Sequence, residues 1–227
     1  MKRLLIIPAR GGSKRIKNKN IKIFNGKPII YYPLKAAKNS MLFEKIHVST
    51  ESKKIISVIK KIGFEPDFLR KKKLANDSTG INDVVDYVVK KFNNLKMNFD
   101  EVWCIYPCSP LITEDDLKKI NLLFNKQKNS LMTISEFPAP VLWALKKNKQ
   151  EILNPYFKNK LNIPSNNMGK FYYDNGCIII LKKKDFLKSF KKIKFIGYEM
   201  PIYKSVDIDN INDWNLALDF YKMRKNK

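Results

Sequence analysis

Residues 8–21, PARGGSKRIKNKNI, combine two adjacent glycines with several cations and follow directly after an apolar run. Glycines permit tight turns and let backbone N–H groups approach a ligand. An arginine binds phosphate oxygens with two parallel donors, whereas a lysine acts as a compact charge. The string therefore predicts a phosphate cradle in which Arg10, Lys14 and Lys19 supply the positive charge. It is neither a P-loop nor the glycine pattern of dinucleotide-binding proteins.

Two carboxylates separated by one residue, Asp207 and Asp209, lie in the late segment SVDIDNINDW. On a strand both would face the same side and could share a cation. Ligation by oxygen alone suits Mg²⁺, which keeps some of its waters and bridges to phosphate oxygens. A turn with solvated acids accounts for the same residues, because Asp and Asn are common in turns. The spacing by itself leaves both interpretations open.

His47 is the single histidine of the chain and falls within the apolar run KIHVST. A histidine inside a predicted strand is more often a core or surface residue than a catalyst. We therefore expect the attacking group of any reaction to be activated by a metal ion or aided by Asp209 instead.

The elements that must position these residues alternate between apolar runs and helical spacing. Strands are predicted at residues 3–9, 45–50, 65–69, 101–106, 131–135 and 171–181. Helices are predicted at residues 29–40, 51–61, 82–92, 113–124 and 213–223. This order predicts a single α/β domain over residues 1–227, with three layers and a mostly parallel sheet. Ligands bind beyond the carboxyl ends of such strands, so the loops after Ala9, Thr50 and Tyr106 should meet at one site.

Residues 138–170 break the alternation and are rich in Pro, Asn and Lys. They predict an excursion from the domain, either a β-arm or a loose surface loop. The chain end at residues 224–227 is expected to be frayed.

Composition limits the classes of function. The 227 residues include 44% hydrophobic residues, enough for a core, and 45 basic against 21 acidic residues give a net charge of +24. Nucleic-acid binding would explain this charge, and so would a lysine-rich surface, with a polyanionic small molecule as a contributing reason. Because the lysines are spread along the whole chain without the pattern of an RNA-binding module, we expect no nucleic-acid partner.

No apolar run approaches the ~18 residues of a membrane span, so no membrane partner is expected. The apolar stretch at residues 4–7 is too short for a signal peptide. Three cysteines do not make a disulfide framework, and we expect Cys104 and Cys108 to be buried or idle thiols rather than metal ligands. These features predict a cytoplasmic protein.

The string at residues 8–21 resembles the signature of the sugar-activating cytidylyltransferases, or CMP-sugar synthetases. Further segments resemble their other motifs in the same order: VSTESKKI, FLRKKKLANDSTG, YPCSPLIT, YYDNGCIII and SVDIDNINDW. The chain is therefore identified as a member of the acylneuraminate and nonulosonate branch of this family. The resemblance implies a Rossmann-like, three-layer fold of the nucleotide-diphospho-sugar transferase type.

The resemblance also implies the reaction and its residues. The anomeric hydroxyl of an acidic nine-carbon sugar attacks the α-phosphorus of CTP, and pyrophosphate leaves. The implied nucleotide-binding residues are Ala9, Arg10, Gly11, Gly12, Ser13, Lys14, Lys19, Asn20, Arg70, Ser78 and Thr79. The implied catalytic residues are Arg10, Lys19 and Asp209, with Asp207 and Asp209 holding Mg²⁺ or Mn²⁺. For Ser78 and Thr79, a helix-capping loop is the alternative interpretation.

The substrate sugar follows from departures within the family. Tyr106 and Ile112 stand where sialate and octulosonate enzymes typically carry Gln and Arg, so the sugar should differ from plain sialic acid. CIYPCSPLI and SEFPAPVLWAL resemble the pseudaminic acid branch, whereas Asn175 is retained as in sialate-type enzymes. We expect pseudaminic acid or a similar deoxygenated sugar, with N-acetylneuraminate or legionaminate as alternatives. The expected sugar-binding residues are Tyr106, Ser109, Asp174 and Asn175.

The family resemblance further implies that the excursion at residues 138–170 builds a homodimer and contributes to the sugar site. Two other functions are weighed against the cytidylyltransferase. A basic nucleic-acid-binding module rests on charge alone, and its binding would fall steeply with salt without any CTP dependence. A nucleotidyltransferase for another nucleotide would use a similar glycine-rich opening, and a preference for GTP or UTP would identify it.

Overall fold

The computed structural model describes residues 1–225. Its central six-stranded sheet has the order β10-β6-β9-β5-β1-β4. These strands are β1 (Arg3–Pro8), β4 (Lys45–Ser49), β5 (Glu101–Ile105), β6 (Ser130–Glu136), β9 (Tyr172–Lys182) and β10 (Phe195–Glu199). All neighbours pair in parallel except β9, which runs antiparallel to both β5 and β6. The predicted α/β architecture with a mostly parallel sheet is confirmed.

Helices cover both faces of this sheet. They are α1 (Tyr31–Ser40), α2 (Lys53–Lys61), α3 (Ile81–Asn94), α4 (Glu114–Asn125) and α5 (Ile211–Lys225). In β1, Leu5 and Ile7 pack with residues of α1, α2 and α4, whereas Leu4 and Ile6 pack with α3. A strand buried on both faces needs a continuous apolar run, which is why RLLIIP forms an internal strand between β5 and β4. The result is three layers.

The predicted helix start at Thr113 is confirmed. The Thr113 hydroxyl accepts a hydrogen bond from the Asp116 backbone N–H at 3.2 Å, and the Asp116 carboxylate accepts one from the Thr113 N–H at 3.0 Å. This reciprocal pair satisfies two of the N–H groups that lack partners within a helix. The cap thereby fixes the end of the loop that leaves β5 and enters α4.

One predicted strand is absent from the structure, and one observed strand of the central sheet was not predicted. Residues 65–69 form no strand, because Pro66 lacks an N–H and Asp67 turns inward to His47 and Lys45 on β4. This segment covers the edge of the sheet with side chains. The strand β10 escaped prediction because FIGYE is short, contains a glycine and is only partly buried. It becomes a strand by pairing in parallel with β6.

The interruption at residues 138–170 contains a small hairpin of β7 (Leu145–Lys147) and β8 (Leu153–Pro155), as expected for a β-arm. Another hairpin, β2 (Ile23–Phe24) and β3 (Lys27–Pro28), precedes α1. The helix α5 continues through Lys225, and Arg224 Nη1 donates to the Leu111 carbonyl at 2.9 Å, so the predicted fraying is wrong at Arg224. Residues 226 and 227 lie outside the described residues. Within residues 1–225, no helix is long and apolar enough to cross a membrane.

Candidate active site

A crevice of about 260 Å³ opens at the carboxyl ends of β1 and β5. One wall is the cradle loop after β1, residues 9–20, and the other is the segment of residues 205–210 that leads into α5. Ten of the residues expected to bind substrate or metal line it: Arg10, Ser13, Lys14, Lys19, Asn20, Arg70, Thr79, Tyr106, Asp207 and Asp209. The structure therefore brings the cations and the paired acids together.

Residues at the carboxyl end of β4 fix the first turn of the cradle loop. The Ala9 N–H donates to the Ser49 carbonyl at 2.9 Å, and the Gly11 N–H donates to Glu51 Oε1 at 2.7 Å. A Cβ atom at Gly11 would lie 2.9 Å from the Ser52 Cβ, so only glycine fits this approach. Gly12 has no such neighbour. Ala9, Gly11 and Gly12 do not line the crevice, so they act by shaping the loop.

Two of the cradle cations share one carboxylate. Arg10 Nη1 lies 2.6 Å from Asp77 Oδ1, and Lys14 Nζ lies 2.6 Å from Asp77 Oδ2. Hydrogen bonds from Lys14 and Arg10 hold the pKa of Asp77 below its usual value. All three side chains are at least one-third exposed, so the arrangement is open to solvent and to anions.

Two further cations meet Asp209 across the crevice. Arg15 binds both carboxylate oxygens, with Nη1–Oδ2 and Nη2–Oδ1 distances of 2.9 Å each. Lys19 Nζ donates to the Ile208 carbonyl at 2.6 Å and lies 3.4 Å from Asp209 Oδ1. These contacts join the start of the chain to the segment before α5.

The segment that carries the acids is not a strand, which corrects the geometry we predicted for it. It is an extended connector in which Ile208 is buried between Asp207 and Asp209. The Asp213 carboxylate accepts hydrogen bonds from the backbone N–H groups of Asp209 (2.8 Å) and Asn210 (2.9 Å). The first turn of α5 thus fixes the connector, and alternation about Ile208 still presents both acids to the crevice.

Asp207 differs from Asp209 in its surroundings. It makes no hydrogen bond or ion pair with any residue in 1–225 that the structure records, and it packs against Gly176, whose φ is +64°. Burial and the charge of Asp209 raise the pKa of Asp207. No group of three or more His, Cys, Asp or Glu side chains among residues 1–225 could hold a metal. Two carboxylates supplemented by phosphate oxygens and water match the donor set of Mg²⁺.

Asn20 and Arg70 line the crevice but are held by internal bonds. Asn20 Nδ2 donates to the Arg10 carbonyl at 2.9 Å, and its Oδ1 accepts from Cys108 Sγ at 3.3 Å. Arg70 is 5% exposed and donates to the Ser49 carbonyl at 2.6 Å, and burial lowers its pKa. Both side chains therefore stabilise the walls of the crevice through these bonds.

In the loop before α3, Ser78 and Thr79 bond to a neighbouring side chain, and neither caps the helix, whose N-cap residue is Gly80. Ser78 Oγ and Thr79 Oγ1 donate to Asn76 Oδ1 at 2.9 and 2.7 Å. Thr79 lines the crevice, whereas Ser78 does not.

The four expected sugar-binding residues do not share one position. Tyr106 lines the crevice, and burial raises the pKa of its phenol. Asp174 is exposed, with Oδ1 accepting from the Gly176 N–H at 3.0 Å. Ser109 is buried, at 3% exposure.

Asn175 requires a correction, because its side chain is fully buried. Its Oδ1 accepts from Thr133 Oγ1 at 2.7 Å, and its Nδ2 donates to Ser135 Oγ at 3.1 Å. The register between β6 and β9 shifts next to this contact, between Met132 and Ile134. Asn175 therefore fixes an irregularity in the sheet and cannot reach a sugar in the crevice.

His47 and the cysteines lie where a structural role predicts them. His47 is fully buried, with Nδ1 3.1 Å from Asp67 Oδ2, and it does not line the crevice. Cys104 and Cys177 are buried and free. Cys108 borders the crevice, and burial raises the pKa of its thiol to about 12.

Sequence reasoning missed three groups of this site: Arg15, Asp77 and Glu51. Arg15 belongs to the cradle string, but nothing in the string separates it from the other cations. Asp77 follows a cationic run in RKKKLAND, and an acid after such a run is a signal that could have indicated an internal ion pair.

The fold and the crevice define a nucleotidyltransferase, because a cationic, glycine-shaped loop faces paired acids at the carboxyl ends of an α/β sheet. The family model of cytidylyltransferases matches residues 4–225. The chain belongs to the cytidylyltransferase family, and the family resemblance drawn from its motifs is confirmed.

Two curated relatives are similar over nearly the whole chain. The pseudaminic acid cytidylyltransferase of Campylobacter jejuni subsp. jejuni serotype O:2 is 33% identical over 227 residues, covering 98% of this chain and 97% of the relative. The CMP-N,N'-diacetyllegionaminic acid synthase of Legionella pneumophila is 31% identical over 228 residues, covering 96% and 95%.

A solved structure of CMP:2-keto-3-deoxy-manno-octonic acid synthetase complexed with CTP has the same fold. Its TM-score is 0.70 at 16% identity, and the match covers 99% of this chain and 100% of that chain.

Proposed function

We propose that this chain, as one domain over residues 1–227, transfers CMP from CTP to the anomeric hydroxyl of pseudaminic acid or a closely similar nonulosonic acid. The observation that carries the proposal is the crevice in which Arg10, Lys14 and Lys19 face Asp207 and Asp209. The similarity to a pseudaminic acid cytidylyltransferase over 98% of the chain supports the choice of sugar.

The transfer at phosphorus is mainly a problem of positioning and of stabilising charge. Arg10, Lys14 and Lys19 bind the oxygens of the triphosphate and stabilise the departing pyrophosphate. Asp207 and Asp209 would hold Mg²⁺ or Mn²⁺, and the ion would supply neutralisation of the phosphate charge. No histidine borders the crevice among the residues the structure describes, so Asp209 is our candidate to receive the proton of the attacking hydroxyl.

Tyr106 supports a sugar with less polar substituents. It lines the crevice, and its ring presents an apolar surface at the position where the Gln of sialate-type enzymes would form hydrogen bonds with sugar hydroxyls. Ile112 is 3% exposed and packs in the core, so it offers the substrate no polar group.

A coupled pyrophosphate assay tests the reaction and the nucleotide together. With Mg²⁺ and pseudaminic acid, we expect turnover with CTP and little with UTP, GTP or ATP. A preference for GTP or UTP would overturn the assignment. Salt-sensitive binding of nucleic acid without CTP-dependent turnover would favour the nucleic-acid-binding alternative.

The same assay with a panel of sugars tests the substrate. We expect pseudaminic acid to exceed legionaminic, N-acetylneuraminic and octulosonic acids. Legionaminic acid is the second candidate, because the Legionella relative matches 96% of the chain. Equal or better turnover of N-acetylneuraminic acid would contradict the preference. Tyr106→Gln should narrow the difference between pseudaminic and N-acetylneuraminic acid in kcat/KM.

The assembly and the location belong to the same proposal. The excursion at residues 138–170 exposes a set of apolar side chains: Trp143, Leu145, Ile152, Leu153, Tyr156 and Leu161. We propose that a second copy of the chain covers them in a cytoplasmic homodimer. Light scattering on Leu145→Lys/Leu153→Lys should then report a monomer, and an unchanged mass would remove the excursion from the interface.

A further inference from the structure

Arg15 makes a bidentate contact with Asp209 at the crevice. Neither the motif at residues 8–21 nor the family resemblance had assigned a role to this residue. Its guanidinium binds both oxygens of Asp209, each at 2.9 Å. The Arg15 side chain is 68% exposed and that of Asp209 is 39% exposed, so the pair lies at the mouth of the crevice.

The partners of Arg15 and Lys19 show which of the two cations is free to leave Asp209. Lys19 is anchored to the Ile208 carbonyl at 2.6 Å and only approaches the carboxylate, at 3.4 Å. Within residues 1–225, the structure records no hydrogen bond or ion pair of Arg15 other than those to Asp209. Release of Asp209 would therefore free the whole guanidinium of Arg15, whereas Lys19 would stay in place.

A divalent cation at Asp209 needs at least one of the oxygens that Arg15 engages. Exposed ion pairs are weak and screened by salt, so a divalent cation can compete with this one. A freed guanidinium beside the cradle would meet the oxygens of a triphosphate, for which its paired donors are suited.

We propose that Arg15 is a phosphate-binding residue with two alternative partners. It pairs with both oxygens of Asp209 while no metal is bound, and it transfers to the triphosphate when a divalent cation takes the carboxylate. This inference rests on the proposed function, since it requires a metal at Asp209 and a nucleotide in the crevice.

The test compares Arg15→Gln with Lys17→Gln. Lys17 is an exposed residue of the same loop and does not line the crevice, so both variants lose one positive charge from the loop. Binding of Mn²⁺ to each protein without nucleotide is measured by electron paramagnetic resonance. We expect Arg15→Gln to tighten Mn²⁺ binding about two- to fivefold, from loss of the competing ion pair. Lys17→Gln should cause a smaller change.

The second measurement is the kinetics with CTP. Arg15→Gln should raise the KM for CTP about tenfold, because a charge-assisted hydrogen bond to phosphate is lost, with a smaller effect on kcat. Arg15→Lys should restore part of this loss, because it keeps the charge without the paired donors. Thermal unfolding should be similar for all variants, since the pair is exposed.

Equal Mn²⁺ affinities of the two glutamine variants would overturn the inference, because the effect would then be one of overall charge. No Mn²⁺ binding by either wild type or Arg15→Gln, or an unchanged KM for CTP, would also overturn it. Failure of the proposed function has a different signature, namely no pyrophosphate release by the wild-type protein with CTP and any sugar of the panel.

Discussion

The two ends of the central sheet carry the same motif of one acid between two cations, with opposite exposure. At the amino end, Glu101 lies 2.8 Å from Arg3 Nε and 3.2 Å from Lys182 Nζ, and its side chain is 1% exposed. At the carboxyl end, Asp209 meets Arg15 and Lys19 and is 39% exposed.

The difference follows from what fixes each acid. Register places Glu101 beside Arg3 on β1 and Lys182 on β9, so three strands hold one cluster. Asp209 sits on a connector, and its cations come from a loop. A buried ion pair whose partners have left water cannot be broken cheaply, whereas an exposed one exchanges readily. We infer that the amino-end cluster serves the fold and the carboxyl-end cluster serves ligand exchange.

The largest expected effect comes from the carboxyl end. Asp209→Ala should lower turnover at least ~100-fold, the scale of removing one group that stabilises the transition state. The free energy of unfolding should change by less than ~1 kcal/mol, because the ion pairs lost are exposed. Pyrophosphate release and urea unfolding measure the two quantities. Retained activity would remove Asp209 from the metal site.

At the amino end of the sheet, we expect a large effect on the free energy of unfolding and a small effect on turnover. Glu101→Gln leaves Arg3 and Lys182 facing each other without their acid and should cost ~3 kcal/mol of unfolding free energy. Turnover at low temperature should stay near the wild-type value. The matched control is Glu151→Gln, which removes an exposed acid paired with Lys147 and should cost less than ~0.5 kcal/mol. Similar losses in the two variants would refute the distinction by burial.

The buried pair of His47 and Asp67 extends the comparison to the pH dependence of stability. Burial lowers the pKa of His47, outweighing the opposing effect of Asp67, while Lys45 and Arg70 lower it further. The unfolded chain therefore binds a proton below pH ~6.5 that the folded chain resists. Stability should be fully present above that pH and fall by up to ~1.4 kcal/mol per pH unit below it, until the folded-state pKa is reached.

His47→Gln should remove this slope below pH ~6.5. Urea unfolding at several pH values, for wild type and variant, measures it. An identical slope in both proteins would assign the acid sensitivity to other groups.

The smallest expected effect is on the KM for CTP, and it comes from Asp77, the acid that pairs with Arg10 and Lys14. Asp77 occupies Arg10 and Lys14, so Asp77→Asn should lower the KM for CTP about two- to threefold by removing a weak competitor for the cations. Asp219→Asn, an exposed acid on α5 that does not line the crevice, is the control. A higher KM in Asp77→Asn would mean that Asp77 orients the cations for phosphate instead.

The sequence was informative wherever a pattern is local. The apolar run of β1 and the cap at Thr113 both follow from a few consecutive residues. The rule that strand ends share one edge of a sheet predicted that the loops after Ala9 and Tyr106 meet, whereas the family resemblance implied that the acids at residues 207–209 join them.

What escaped prediction depends on contacts between distant residues. Asn175 was assigned to the sugar because its motif resembles that of sialate-type enzymes, but a register shift turns its side chain to Thr133 and Ser135. Arg15 was one of several cations until a partner 194 residues away along the chain distinguished it. Pattern and composition carry no information on such pairings.

The order of the chain has a consequence for synthesis. The cradle loop is synthesised before its partner acid, which is separated from Arg15 by 194 residues. At translation rates of about 5–20 residues per second, the second wall of the crevice follows roughly 10–40 s later. A nascent chain therefore carries the cradle loop without Asp207 and Asp209 until the segment before α5 is made. Under the proposed function, a chain that ends before this segment lacks both acids expected to hold the metal, and we expect it to be inactive.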